Sequence, residues 1–414
     1  MNKRITGIAL ASSLGLLAVV SAVAQTGGAN IKMVDCFKDS ENVKCKRPDS
    51  TMSIGEGATF KQGGVGEAIG GGFIMGNRAI LASKLSTGGA VVAVDLETGD
   101  RELISGRMNI NESRGKALRF VGSPGGKEDS EAYKLDGITD VKLLPNGNFL
   151  AIGRRSYDRM ELIEIDAKTG DRKLFWASDL APDPHPGGLQ DKEKLAIASR
   201  CPVKGANNRS PNPTSYTVAV DAGGSAYLQI NNNPLGTGFG YVRIKNGKCE
   251  DLSTYDFDLN DIVGSGYKTP REEVNHMIVD GNTLYSVSYF ADTGHLMAIN
   301  LETGDRKVIS HKDSVASKSK GKGDIGIGTL GVAINAGGLW TVKENGNEFK
   351  LIRIDPKTGE RTLVPAKAGP LLKMRDGYVQ KVFAIPGSDL LIVTMDTLVT
   401  VFDPKTGNSN SISI

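Results

Sequence analysis

His276 is the side chain in this sequence best suited to acid–base work, because it stands beside Asn275 and follows Glu272 and Glu273. A neutral imidazole can take a proton from water near neutral pH, so His276 is the candidate catalytic base. The competing reading is an ordinary hydrogen-bonded strand residue. Of the remaining histidines, His185 lies between Pro184 and Pro186 and reads as a loop residue.

Several other chemistries fail on spacing. Asp256-Phe257-Asp258-Leu259-Asn260-Asp261 invites a calcium loop, but an EF-hand needs Gly at its sixth position and Glu at its twelfth. Those positions hold Asp261 and Tyr267. The alternation of Tyr255, Phe257 and Leu259 predicts a strand with acids on its wet face. Gly64, Gly66 and Gly70 miss the dinucleotide fingerprint by one residue, and no long helix follows. A Gly-x-Ser-x-Gly nucleophile elbow is missing. The four cysteines, Cys36, Cys45, Cys201 and Cys249, show no zinc-knuckle spacing. An even count favours two disulfides in an oxidising compartment, and sequence alone allows three pairings. Cys36 with Cys45 would close a small loop, and Cys201 with Cys249 would tie a long insertion to a later strand.

The elements that must position such residues are repeated. Four segments match closely, beginning at Val91, Glu161, Leu296 and Lys350, and a fifth begins at Leu398. Each is an alternating apolar stretch, then Asp or Asn, two variable residues, Thr-Gly, and a second alternating stretch. Alternation at period two marks half-buried strands. Asp95, Asp166, Asn300, Asp355 and Asp403 can accept hydrogen bonds from the turn amides just after them. Gly99, Gly170, Gly304, Gly359 and Gly407 can supply the positive φ that closes the turn. The arginines that follow, Arg101, Arg172, Arg306 and Arg361, read as solvated strand-face residues. Upstream of each hairpin, two further strands flank a tight turn with Gly76, Gly147, Gly223, Gly281, Gly337 or Gly387. In the third unit the outer hairpin is degenerate, with Asn246-Gly247 as its turn.

Two inner strands and an outer hairpin make a four-stranded unit, and six units predict an all-β, six-bladed β-propeller. A β-sandwich is the rival, but it would not need the same corner in each unit. Long insertions between the blades (109–132, 180–215, 254–273 and 311–327) are expected to crown the mouth of the channel and make the binding surface. Counting back from the inner turns places Glu67, Asp140, Ser215, Glu273, Asn275, Thr329 and Gln380 near that mouth. Ser215, Glu273, Thr329 and Gln380 are the candidate binding residues.

The repeat style resembles six-bladed propellers of the NHL and SMP-30 (gluconolactonase)-like kind, on the apolar strand, Asp, Thr-Gly turn and second strand just quoted. The resemblance covers nearly the whole chain after residue 24 and speaks of fold more than activity. It implies a divalent metal, Ca²⁺ or Mg²⁺, held by oxygen ligands at the channel, with Glu67, Asp140 and Asn275 in the ligand positions. Glu67 lacks the Gly-Pro that typically follows that family's Glu. Quinoprotein propellers have similar turns but carry a Trp after the Gly; here Trp176 is the only Trp near such a turn, which argues against a quinone.

Compartment and partners follow from the remaining residues. Lys3 and Arg4, an apolar run to Val23 and Ala22-Val23-Ala24 make residues 1–24 a secretory signal peptide, and the expected destination is the periplasm or the medium. Residues 25–62 form an N-terminal extension with the Cys36–Cys45 bridge, and 63–414 the propeller. No later stretch is long and apolar enough to cross a membrane as a helix. The formal charge is +3 and falls to +1 without Lys3 and Arg4. Only Lys318, Lys320 and Lys322 cluster, and their Gly and Ser neighbours predict a flexible solvated loop. Nucleic acid is therefore not expected as a partner. Two functions remain: a binding protein for a protein, glycan or small-molecule ligand at the channel mouth, or a metal-dependent hydrolase or lactonase on the channel axis.

Overall fold

The computed structural model describes residues 31–46, 53–57, 68–85, 88–109, 112–115, 138–156, 159–177, 217–231, 239–255, 260–268, 273–290, 293–312, 320–323, 331–335, 337–345, 348–373, 379–395 and 398–413. These form six antiparallel sheets, each with its strands in consecutive order, and no α-helix occurs among them. The innermost strands are β1 (Ala68–Met75), β6 (Ile138–Leu143), β10 (Ala219–Val220), β15 (Glu273–Asp280), β19 (Val332–Asn335) and β23 (Val379–Ala384). Each packs against the next around the ring, and β23 returns to β1. The chain is a six-bladed β-propeller. Four sheets have four strands; the first and third add a short fifth, β5 (Glu112–Arg114) and β14 (Asp261–Val263).

Strands such as Leu391–Met395 and Leu398–Asp403 carry apolar residues on both faces, so the core lies between blades rather than inside one. Leu150, Leu162, Trp176, Val218, Leu228 and Val242 fill the seam between the second and third blades. Ile69, Leu81, Val92, Ile392, Val399 and Val401 fill the seam that closes the ring.

The outer corners form as the repeat dictates. Asp95 Oδ1 accepts from the N–H groups of Glu97 and Thr98, at 2.8 and 2.9 Å. Asp166, Asn300 and Asp355 do the same in their own turns. All five corner glycines have positive φ, between 73° and 83°. Gly223 and Gly337 lie in inner turns as expected, and the positive φ falls on the residues after them, Gly224 and Gly338.

The repeated arginines are not solvated. Arg101, Arg172, Arg306 and Arg361 are buried, and each reaches a serine on the fourth strand of the preceding blade or, for Arg101, of the last one. Arg306 Nη1 donates to Ser253 Oγ at 2.6 Å, Arg361 Nη1 to Ser310 Oγ at 2.9 Å, and Arg101 Nη1 to Ser413 Oγ at 2.7 Å. Arg172 Nη1 reaches Ser105 Oγ at 3.3 Å. Ser105 and Ser310 donate onward to the carbonyls of Gly170 and Gly359, at 2.7 and 2.6 Å. A guanidinium can satisfy several acceptors at once in a fixed fork, which is why Arg suits a buried joint between sheets.

A second repeat completes these joints. Segments 54–57, 263–266 and 320–323 each carry Gly-x-Gly and run alongside the corner of the following blade. The backbone N–H groups of Arg101, Arg306 and Arg361 donate to the carbonyls of Glu56, Ser265 and Lys322, at 2.7, 2.7 and 2.8 Å. A Cβ on Gly55 would lie 2.0 Å from the Gly99 carbonyl oxygen, so only glycine permits the approach. Residues 320–323 are thus docked through their backbone, while Lys320 and Lys322 stay exposed. Asp261 is exposed on a strand, as expected, and pairs with Arg306 and Lys268.

Cys36 and Cys45 are bonded to each other, as expected. Cys249 is also disulfide-bonded; its expected partner, Cys201, lies outside the described residues. The Cys36–Cys45 loop clasps the last strand, β26 (Asn408–Ser413). Val34 N–H donates to Asn410 Oδ1 at 2.7 Å, and Asn408 Nδ2 donates to the Val34 carbonyl at 2.8 Å. An outermost strand normally exposes unpaired backbone; here the clasp covers it, and every residue of β26 is buried.

Candidate functional site

The innermost strands carry one position each that points at the ring axis. It precedes the fully buried residue of the strand: Asp140 before Val141, Thr217 before Val218, His276 before Met277, Gly331 before Val332 and Lys381 before Val382. The first blade offers Gly71 and Gly72 there. On β1, β6, β15 and β23 a register shift falls just before or at this position. A β-bulge re-aims the side chain that follows it, which explains how residues of inward strands come to face the axis.

Asp140 is fully buried, and both its oxygens are engaged. Oδ1 accepts from Val141 N–H at 2.8 Å and Lys142 Nζ at 2.6 Å. Oδ2 accepts from Thr217 Oγ1 at 2.7 Å and Val218 N–H at 3.2 Å. Four donors on one buried carboxylate meet the requirement that a buried charge be paired and hydrogen-bonded. Gly71 is glycine for the same reason: a Cβ there would lie 1.9 Å from Asp140 Oδ1.

Lys142 extends the network across the axis. Its Nζ also donates to the Gly72 carbonyl at 3.2 Å and lies 3.5 Å from His276 Nε2. His276 Nδ1 rests against the backbone of Val332, 3.0 Å from its nitrogen and 3.1 Å from its carbonyl oxygen. Burial, then the charges of Lys142 and Lys381, hold the His276 pKa well below the usual imidazole value, so the ring is neutral at physiological pH. Lys381 Nζ donates to the Asn275 carbonyl. Burial, against the pull of Asp140, lowers its pKa to about 8. One carboxylate therefore faces two ammonium groups and a neutral imidazole.

Of the expected site residues, Asp140, Asn275 and His276 do come together. Asn275 takes part through its backbone carbonyl, which receives Lys381. Glu67, Ser215 and Thr329 lie outside the described residues, and of Glu273 and Gln380 only the backbone is described. Sequence reasoning missed Lys142, Thr217 and Lys381. The available signal was a basic residue on an innermost strand, which burial makes costly without a partner.

The arrangement joins all six blades through polar atoms and can receive charge at the axis. It does not fit a divalent cation at Asp140, because its oxygens already hold four donors and two ammonium groups stand close. Among the described residues no three His, Cys, Asp or Glu side chains gather into a metal-binding group.

No protein-family model matches this chain, and no curated protein matches it. Solved structures do. The tricorn protease is similar at 10% identity with a TM-score of 0.47, over 84% of this chain and 26% of that one. TolB from Acinetobacter baumannii is similar at 12% identity with a TM-score of 0.39, over 72% of this chain and 53% of that one. A chain of a nidogen/laminin complex is similar at 10% identity with a TM-score of 0.42, over 77% of this chain and 88% of that one. This chain thus spans about a quarter of the tricorn protease and about half of TolB. Likeness at such identity and TM-score assigns this chain no activity, and its fold rests on its own strand order.

Proposed function

We propose that this chain is an exported binding protein whose ligand meets the propeller at the mouth of the axial channel. The observation that supports it is the state of the axial polar groups. Asp140 is sealed and satisfied by four donors, and His276 Nδ1 is held against Val332. A general base or metal ligand needs a free lone pair within reach of substrate. These groups, with Lys142 bound to Asp140, Gly72 and His276, hold blades in register and leave Lys381 to meet a ligand. Export is supported by residues 1–24, which lie outside the described structure, and by the disulfides, which persist in oxidising compartments.

Two measurements test the reading. The full-length chain fused to alkaline phosphatase should give phosphatase activity outside the cytoplasm, and deletion of residues 2–24 should abolish it. Purified protein with added Ca²⁺ or Mg²⁺ should turn over no lactone. Lactone turnover that disappears in Glu67→Gln would replace the binding reading with the hydrolase one.

A further inference from the structure

We propose that Lys381, backed by Lys142, takes the anionic group of a small ligand, a carboxylate or a phosphate, at the ring axis. This rests on the binding reading above and names the chemistry of its ligand.

The geometry separates the charges. Among the described residues the one carboxylate here, Asp140, has no exposure, whereas the Lys142 side chain keeps 11% of its surface in solvent. Lys381 and Asn275 are half-buried. The negative charge is thus fully enclosed, while Lys381 keeps part of its surface in solvent. Asp140 offers Lys381 no hydrogen bond, since its partners are Lys142, Thr217 and two backbone amides. Among the described residues the Asn275 carbonyl is the one acceptor that Lys381 reaches. An ammonium carries three N–H donors, so the others point toward whatever arrives along the axis. A partly desolvated ammonium with a second cation nearby favours an oxyanion, because low dielectric strengthens attraction and exposes an uncompensated charge. His276, neutral and edge-on to Phe383 with ring centroids 6.1 Å apart, closes one side without adding charge.

The test is calorimetric titration of the wild-type protein with inorganic phosphate and with succinate, in chloride at constant ionic strength and pH 7. One saturable site is expected. Lys381→Met should weaken it at least tenfold, about 1.4 kcal/mol, while Lys381→Arg keeps it. Both variants should show wild-type circular dichroism. Affinity should fall as pH rises past about 8, where Lys381 loses its proton. Three results would overturn the proposal: no binding of either anion, equal binding by Lys381→Met, or binding that appears only in Glu67→Gln or Glu273→Gln. The last would mean that the chain supplies its own counterion. A neutral ligand whose affinity ignores Lys381→Met would sink the anion assignment and leave the binding reading standing. Lactone turnover would remove the binding reading itself.

Discussion

The rim and the axis of this propeller solve the same problem, joining sheets that share no backbone ladder, in opposite ways. At the rim one device is copied: a buried Arg, a Ser on the neighbouring blade, and a Gly-bearing corner, seen at Arg101, Arg172, Arg306 and Arg361. At the axis nothing is copied; Asp140, Lys142, Thr217, His276 and Lys381 are joined in one network. A copied joint is local, and its loss is felt at one seam. A shared network is collective, because each charge there depends on partners from other blades. Function fits the second region, where the blades have diverged.

The sharpest way to break this contrast is Asp140→Ala. It leaves Lys142 and Lys381 uncompensated and should cost about 3–5 kcal/mol in urea unfolding. A cost no larger than that of a rim substitution would show that the axis is not collective. Arg306→Met should cost less, about 2–3 kcal/mol, because it strands the Ser253 hydroxyl and the Tyr267 carbonyl at one seam. Replacing Cys36 and Cys45 together by Ser should cost about 2–3 kcal/mol by freeing the clasp on β26, read as a lowered melting temperature. Ser310→Ala removes a hydroxyl between Arg361 and the Gly359 carbonyl and should cost about 1 kcal/mol.

The last expectation is a slope. The Lys381 pKa is about 8 in the folded protein, below the ordinary lysine value of 10.5. Between those values the unfolded chain holds a proton that the folded one has released, so stability rises with pH across that window. The wild type should gain on Lys381→Met by less than about 1.4 kcal/mol per pH unit there. A flat difference would place Lys381 in ordinary solvent. For His276 the folded pKa is also depressed, so stability should fall as pH drops below the ordinary imidazole value of 6.5.

Much of the architecture was legible because corners are local. Asp95 bonds its own turn amides, and Gly99 adopts positive φ, whatever the rest of the chain does. The same locality misled on the arginines. Arg306 follows a polar corner and alternates like a solvated residue, yet its partners, Ser253 and Tyr267, lie 53 and 39 residues away in sequence. At the axis the neighbourhood of Asp140 and His276 was found by counting strands, but not what they touch. Lys142 and Lys381 were passed over because, on a single strand, they look like residues of an outer face.

By itself, then, the sequence determined the strands, their corners, the number of blades and the Cys36–Cys45 loop, since each depends on residues a few positions apart. The tertiary structure alone decided that the arginines are buried joints and that the axial carboxylate is sealed while Lys381 stays half-buried. Those outcomes depend on how six sheets close around a common line, which brings together side chains more than a hundred residues apart, such as Lys142 and His276. No local pattern encodes that distance.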